Sequence, residues 1–310
     1  MKRIFLGWII LLFTQFVQAA GEIEIRIAYP SGMNGQIPVV MERADIAKQY
    51  KLDAEYAFFQ NGPPMMEALA SGNVDAVITS LMPITSFLSK QPGKAVVVAQ
   101  LGASSHSLMV PKDSPAKSIK DLKGKKVAVS FSTDSHLDLL RLLKESGLNV
   151  TKDITLINVP PNELLLSLTQ GYSDAIVIRV PQVERAKNQI GARVVYSWPF
   201  RFAAIMRTEY LAKNPGALAR FIDSLEASVL YTSQNQQKAA GWFAEKLRMD
   251  TKTVLEATGQ DPIFSATRLD QVNVRITPQF RKTYENWVAA SLDSGLIKTP
   301  VDINAVFIGQ

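Results

Sequence analysis

One arginine stands where a strand is expected to meet a ligand. Arg179 follows the apolar run Ala175–Ile178, and small molecules bind at the carboxyl ends of buried strands in α/β proteins. Its guanidinium could hold a carboxylate or a sulfonate with two parallel N–H bonds. It could equally form a salt bridge with a nearby acid such as Glu184 or Asp134. The sequence leaves both roles open.

Four polar loops have the composition of helix N-termini that bind ligands. Each lies between the end of a strand pattern and the start of a helix pattern, where backbone N–H groups lack partners and attract negative charge. N-capping alone would select the same residue types. Four such loops on two facing lobes nevertheless favour a polar cleft. The loops are Tyr29–Gly32, Asn61–Pro64, Thr79–Pro83 and Ser130–Thr133.

The chain lacks the residue patterns of the common catalytic centres. It has no cysteine, and His106 and His136 have no partners at metal-binding spacing. It contains no nucleophile elbow, phosphate-binding loop or dinucleotide-binding fingerprint. We therefore expect a binding protein without a metal or a cofactor, rather than an enzyme.

The first residues have the pattern of a secretory signal peptide. Lys2 and Arg3 precede the apolar run Ile4–Val17, and a cleavage site fits after Ala19. Cleavage would lower the formal net charge from +6 to +4, because it removes two cations and no acid. So small a positive charge does not indicate binding to nucleic acid. We expect an exported protein.

Two stretches of the chain look like copies of one structural unit. Residues 67–78 are EALASGNVDAVI and residues 166–177 are LSLTQGYSDAIV, with Asp75 and Asp174 at equivalent positions. Each unit follows a Pro-Pro pair, which predicts a short helix that begins at proline, ends at glycine and leads into a strand. Two such units predict two α/β lobes with a crevice between them.

Strand and helix patterns alternate up to about Asn214, and helix patterns alone follow it. Trp198 lies near the end of the alternating part and could stack on a ligand, although packing at a hinge is the more common role for a tryptophan there. This order predicts two lobes with a helical tail that packs on the first. Strand patterns outside the repeated units are Ile23–Ala28, Leu52–Phe58, Ala95–Ala99, Val127–Val129 and Val194–Val195.

Five segments, in this order, resemble one known family. They are GPPMMEALASGNVDAV, KDSPAKSIKDLKGKKVAV, STDSHLDLLRLLKESGL, DAIVIRVPQ and EYLAKNPGALARFIDSL. The chain resembles the periplasmic substrate-binding proteins of ABC importers, in the sulfonate, nitrate and taurine group (NMT1/thiamine-precursor-like). The resemblance implies a type II periplasmic-binding-protein fold, with two α/β lobes joined by two crossovers and a cleft that closes on a small ligand.

The resemblance also implies domain boundaries and partners. We expect residues 1–19 to form the signal peptide, residues 20–110 and 203–310 to form lobe 1, and residues 111–202 to form lobe 2. The hinges are expected near Val110–Lys112 and Phe202–Met206. The expected partners are a small-molecule ligand and the membrane permease of an ABC transporter, and the expected state is a periplasmic monomer.

The predicted ligand contacts come from the polar loops and from Arg179. In the resembled family a turn rich in glycine, serine and threonine leads to a histidine, whereas the turn here contains Asp134, which would weaken the binding of an anion. Arg179 favours an acidic ligand instead, and the two residues could also pair with each other. The predicted ligand-binding residues are Tyr29, Ser31, Asn61, Ser80, Ser105, Ser132, Thr133, His136, Arg179 and Trp198.

The predicted function is capture of a small anionic or polar organic ligand, such as a sulfonate, nitrate or a taurine-like molecule. Other functions stay open at this point. The chain could bind a thiamine-pyrimidine-type heterocycle or an aromatic carboxylate, it could be an enzyme on the same fold, or it could deliver a ligand to a membrane receptor as a sensor.

Overall fold

The computed structural model describes residues 21–308, whose strands form one eight-stranded mixed sheet. The predicted signal peptide, residues 1–19, lies outside the described residues. Across the sheet the strand order is β2-β1-β3-β8-β4-β7-β5-β6. The strands are β1 (Ile23–Pro30), β2 (Leu52–Phe59), β3 (Ala76–Ser80), β4 (Ala95–Val110), β5 (Lys126–Val129), β6 (Thr155–Asn158), β7 (Ala175–Arg179) and β8 (Arg193–Arg207).

Helices connect the strands and form most of the tail after β8. No helix within residues 21–308 is both long and apolar enough to cross a membrane. The α-helices are α1 (Gln36–Arg43), α2 (Ile46–Gln49), α3 (Gly62–Ala70), α4 (Leu81–Lys90), α5 (Asp134–Glu145), α6 (Leu164–Thr169), α7 (Gln182–Ile190), α8 (Thr208–Lys213), α9 (Ala217–Gln234), α10 (Gln236–Leu247), α11 (Thr251–Gly259) and α12 (Pro278–Asp293).

The sheet consists of two related halves that meet in its centre. In lobe 1, β1 pairs in parallel with β2 and β3, and in lobe 2, β5 pairs in parallel with β6 and β7. The long strands β4 and β8 pair antiparallel with each other along their length and join the halves. The predicted fold, two α/β lobes linked by two crossovers, is therefore confirmed.

The crossover strands change partners as they pass from one lobe to the other. β8 pairs with β3 over Phe202–Met206, and β4 pairs with β7 over His106–Met109. The register between β4 and β8 shifts between Leu101 and Ala103, close to the middle of β4. The division of the chain at residues 110 and 202 stays a prediction.

The repeated aspartates fix equivalent strand contacts in the two lobes. The Asp75 N–H donates to the Arg26 carbonyl at 2.8 Å, and the Asp75 carboxylate accepts from the Arg26 N–H at 3.0 Å. Asp174 makes the same exchange with Lys126, at 2.8 Å in both directions. The sequence repeat is thus a repeat in structure, and its aspartates join β3 to β1 and β7 to β5.

The two repeated helices begin differently. α3 begins at Gly62 and has the Pro-Pro pair in its first turn, whereas α6 begins at Leu164, after a turn that follows its own Pro-Pro pair. Both helices end just before a glycine with positive φ, 77° at Gly72 and 72° at Gly171, as the pattern predicted.

Buried apolar side chains form three clusters. The tail helices contribute Phe221 and Phe243 to the largest cluster and Tyr284 to the second, so the tail packs against the strands of lobe 1. Leu139 and Leu143 of α5 belong to the third cluster, within lobe 2. This packing holds the carboxyl ends of strands from both lobes at one cleft.

Candidate functional site

The cleft between the lobes has a small inner cavity and a large outer groove. The loops after β1 and β5 and the end of β7 reach the inner cavity, whose volume of about 30 Å³ has room for about one water molecule. The outer groove continues from it and has a volume of about 790 Å³. Ser31, Gln60, Pro161, Ile178 and Gln182 line both spaces.

Arg179 reaches across the cleft from lobe 2. Its guanidinium carbon lies 5.6 Å from the centre of the Phe200 ring. A Cβ placed on Gly32 of lobe 1 would be 3.5 Å from Arg179 Nη1, so the side chain lies against the loop that follows β1. Burial lowers the pKa of Arg179, and the negative charge of Asp134 opposes that shift. A buried guanidinium in this position can bind an anion by charge-assisted hydrogen bonds.

Asp134 also reaches across the cleft from lobe 2 to lobe 1. It begins α5 in lobe 2 and is fully buried. Its Oδ2 accepts a short hydrogen bond from the Ser80 hydroxyl and a longer one, 3.4 Å, from the Met82 N–H, both in lobe 1. The carboxylate therefore lies at the N-terminus of α4, where the helix dipole favours negative charge. Burial raises the pKa of Asp134, whereas the Ser80 hydrogen bond and the Arg179 charge lower it.

Neither salt bridge considered for Arg179 is present among the described residues. Glu184 pairs with Lys187 at 2.9 Å, and Asp134 uses Oδ2 for the hydrogen bonds from lobe 1. Asp134 Oδ1 has no hydrogen-bond partner in the described part of the chain. Arg179 and Asp134, both of lobe 2, thus attract each other without forming an ion pair. Ligand binding by Arg179 stays a prediction.

Three predicted site residues line the inner cavity: Ser31, Thr133 and Arg179. The Ser31 hydroxyl donates to the Gln60 carbonyl at 2.8 Å, and the Thr133 hydroxyl donates to the Ser130 carbonyl at 2.6 Å. Each of these bonds fixes a loop that borders the cavity. Ser80, through Asp134, contributes to the contact between the lobes.

Other predicted residues lie beside the cleft without lining the cavity or the groove. Tyr29 is buried at the end of β1, and its hydroxyl has no partner among residues 21–308. Asn61 is the N-cap residue of α3, and no cap hydrogen bond comes from its side chain. The Ser105 carbonyl, in β4, accepts from the Val180 N–H at 3.0 Å.

The remaining predicted residues take part in aromatic contacts or in the turn before α5. His136 stacks on Phe131 at 4.4 Å, and its Nδ1 accepts from the Ser132 N–H at 3.3 Å. Burial lowers the pKa of His136 to about 4, so the ring is neutral near neutral pH. Ser132 is exposed with a φ of 59°, and Trp198 lies 5.3 Å from the buried ring of His106. None of these residues borders the cavity.

Sequence reasoning missed Gln60, Ser135, Gln182 and the cationic residues of the outer groove. Ser135 is two residues after the named polar loop, and Gln182 is three residues after Arg179, so their positions in the chain were a usable signal. Lys246 and Arg248 come from the helical tail, whose pattern indicated only packing. Their place at the cleft depends on how the tail folds back.

The lining of the cleft is cationic. Arg179 borders the inner cavity, and Arg185, Lys246 and Arg248 border the outer groove. No aspartate or glutamate belongs to the described lining of either space. Within residues 21–308 no group of His, Asp or Glu side chains could hold a metal ion. The arrangement is therefore suited to bind an anion.

One buried histidine–aspartate pair lies next to this site without lining it. His106 pairs with Arg179 in the sheet, and its Nε2 is 3.1 Å from Asp138 Oδ2, with both side chains buried. Neither residue lines the cavity or the groove. Since β4 carries the histidine and α5 the aspartate, the pair connects these two elements.

Comparison with known proteins finds similarity to proteins that are named as binding proteins. The sequence profile of the NMT1/THI5-like family matches residues 48–239. A Brucella abortus (strain 2308) protein, provisionally named a binding protein, is 26% identical over 97% of this chain and 95% of its own length. An Escherichia coli (strain K12) protein, provisionally named an aliphatic sulfonates-binding protein, is 31% identical over 70% of this chain and 69% of its own length.

A solved structure shows the same fold. The alkanesulfonate-binding protein SsuA from Xanthomonas axonopodis pv. citri, bound to MOPS, superimposes with a TM-score of 0.77 at 19% identity. The match covers 91% of this chain and 98% of that protein. The similarity extends over both lobes and the tail.

Proposed function

The chain belongs to the NMT1/THI5-like family, and on this basis we propose that it is the solute-binding component of an ABC importer, specific for a small organic anion. The observation that carries the proposal is Arg179 at the inner end of a cleft whose described lining contains no carboxylate. In this proposal the protein is exported to the periplasm, works as a monomer, and passes its ligand unchanged to a membrane permease.

Charge favours an anion over the other ligands that the sequence left open. A cationic or neutral heterocycle would gain nothing from four positive side chains, Arg179, Arg185, Lys246 and Arg248. A sulfonate has three acceptor oxygens, which could take hydrogen bonds from Arg179 and from the first N–H groups of α5. The relatives named for sulfonates support this ligand class.

We also propose that the lobes open and close around the crossover strands. The inner cavity has room for about one water molecule, so an organic anion can enter only when the lobes part. The register shift between Leu101 and Ala103, before β4 joins β7 at His106, offers a place for β4 to bend. This hinge would lie closer to the middle of β4 than the predicted Val110–Lys112.

A ligand panel on the purified chain lacking residues 1–19 tests the proposal. We expect ethanesulfonate or taurine to raise the melting temperature, because a ligand that binds only the folded state stabilises it. Nitrate, benzoate and an aminopyrimidine represent the other ligand classes that the sequence left open. A shift with the aminopyrimidine alone, or turnover of any of these compounds, would contradict the proposal.

Titration calorimetry of Arg179 variants tests whether this residue binds the anion. Arg179→Ala should weaken sulfonate binding by about 1.5–3 kcal/mol, the usual range for hydrogen bonds to a charged group. Arg179→Lys should recover only part of this, because lysine keeps the charge without the two-pronged geometry. Lys187→Ala, an exposed lobe 2 lysine outside the cleft, is the matched control and should bind normally. Unchanged sulfonate affinity in Arg179→Ala would show that Arg179 does not bind the ligand.

A further inference from the structure

The outer groove brings together cations from both lobes. Arg185 comes from α7 of lobe 2, and Lys246 and Arg248 come from the end of α10, in the helical tail that packs on lobe 1. The three side chains converge on a space of about 790 Å³ that is continuous with the small cavity at Arg179. One ligand could therefore contact both regions.

No acidic side chain of the described chain neutralises these three cations. Arg185 Nε donates to the neutral amide of Gln189 at 3.2 Å. Lys246 Nζ lies 5.5 Å from the centre of the Phe58 ring and forms no ion pair within residues 21–308. The nearest acids in sequence are already paired, Glu184 with Lys187 and Glu245 with Arg43.

Apart from the cations, the groove is lined by both apolar and polar side chains. Phe58 of lobe 1 and Leu165, Leu166 and Ile190 of lobe 2 line it. Leu166 is 53% exposed, so its side chain is accessible to a ligand in the groove. An apolar linker could cover it while the cations bind a charged end.

From this arrangement we propose that the ligand is an organic dianion. One acidic group binds at Arg179, an apolar body lies along Leu165 and Leu166, and a second acidic group binds among Lys246, Arg248 and Arg185. The inference rests on the proposed function and deepens it, because it names a subsite and a substrate class. A small monoanion would leave the groove cations without a partner.

Matched pairs of probes distinguish a second subsite for an acidic group from the binding of a single anionic group. Titration calorimetry would compare n-alkanesulfonates with the α,ω-disulfonates of the same carbon chains, from ethane to hexane, at about 0.15 M salt so that long-range attraction is screened. We expect the best disulfonate to bind about tenfold or more tightly than its monosulfonate, as for one added charge-assisted contact.

Variants assign the preference to the groove. In the double variant Lys246→Gln with Arg248→Gln, disulfonate and monosulfonate should bind with nearly equal affinity, because the cations proposed to hold the second acidic group are gone. Lys238→Gln is the matched control, because Lys238 lies on the same helix over the Trp242 ring and does not line the groove. It should keep the full preference. The lysine and arginine of the double variant are exposed, so melting curves should confirm that it folds normally.

Each outcome decides one claim. Equal binding of both probes by the wild-type protein at every chain length overturns the dianion and leaves the proposed anion-binding function standing. A preference that survives in the double variant also overturns the assigned subsite. Failure of both probes to bind the wild-type protein overturns the proposed function itself, and the dianion with it.

Discussion

Arg179 and Asp134 are opposite charges on lobe 2, and each reaches across the cleft to lobe 1. The carboxylate occupies the N-terminus of α4, a position that attracts anions. It therefore acts as an anion tethered to the protein, and a ligand bound at Arg179 must tolerate its charge. The positive charge of Arg179 strengthens the binding of an anionic ligand, and the negative charge of Asp134 weakens it.

Replacing Asp134 with asparagine should strengthen the binding of anions. The variant removes a buried negative charge near Arg179, and a charge–charge repulsion at the effective dielectric of a protein interior is worth on the order of 1–2 kcal/mol over several ångströms. An asparagine oxygen can still accept from Ser80. Titration with ethanesulfonate measures the effect, with Asp270→Asn as an exposed control remote from the cleft. Weaker binding by Asp134→Asn would show that the carboxylate instead supports the ligand.

His136 should make stability depend on pH. Burial lowers its pKa from the ordinary 6.5 to about 4, so the folded protein favours the neutral ring. The stabilisation is complete above the unfolded pKa and is lost as pH falls towards the folded pKa, by about 1.4 kcal/mol per pH unit at most. The difference in unfolding free energy between wild type and His136→Asn, from urea denaturation, should therefore shrink over this range.

A direct check is the titration of the His136 ring by NMR. Its midpoint should lie at about 4. A midpoint at the ordinary value would mean that the ring is solvated, and that its stacking on Phe131 does not persist in solution.

At the scale of elements, β4 contains a close contact that only glycine permits. A Cβ on Gly102 would lie 1.9 Å from Asp261 Oδ2, and that carboxylate accepts from the N–H groups of Ala103 and Ile263. The contact ties the register shift of β4 to the tail. The tail therefore holds the crossover strand at the place where we propose that it bends.

Gly102→Ala should destabilise the protein by about 1–3 kcal/mol, because the new methyl group displaces the Asp261 carboxylate from its hydrogen bonds. Gly259→Ala is the control: its Cβ meets no atom within 4 Å, at the end of α11, and stability should change by at most about 1 kcal/mol. Urea denaturation measures both. Equal stability of the two variants would show that Asp261 moves aside without loss.

Local patterns in the sequence predicted the individual elements, but not how far the crossover strands extend. The apolar run Ala95–Ala99 was predicted as a strand, and β4 continues beyond it to Val110 through Ser104 and Ser105. Those serines interrupt the apolar pattern, and they form a strand because β8 pairs with them. Pairing between segments about a hundred residues apart leaves no local signal.

The same limit applies to the site. Arg179 was predictable, because neighbouring residues in the sequence show both the strand and the point where it ends. Lys246 and Arg248 were not, because their helix indicated packing and nothing in its sequence showed which face of lobe 1 it would cover. The inner part of the site was therefore accessible from the sequence, and the outer part required the structure.

At the scale of the whole molecule, the lobes touch at two kinds of contact. The buried one joins Ser80 to Asp134 at the cleft. The exposed one joins Lys144 of α5 to Asp293 of α12 at 2.7 Å, and exposed pairs of this kind contribute about 1 kcal/mol or less. Apolar clusters also contain side chains of both lobes, such as Met33 and Ile178, and ligand entry by movement of the lobes is part of our proposal.

Small-angle scattering should detect this opening. The ligand-free protein should have a larger radius of gyration than this structure, and a saturating sulfonate should reduce it, because closure buries the ligand between the lobes. Asp293→Ala should expand the ligand-free form further or leave it unchanged. A ligand-free protein that already matches this structure and does not respond to ligand would argue against movement of the lobes.

The position of β8 in the sheet has a consequence for the order of folding. β3 and β4 are neighbours along the chain, joined by α4, yet β8 lies between them and pairs with both. Lobe 1 therefore cannot complete its sheet until the chain is available as far as Arg207, whereas β5, β6 and β7 all lie within residues 126–179. Closing such long loops is slow. In a chain that emerges N-terminus first, the second lobe can thus assemble while the first still waits for its central strand.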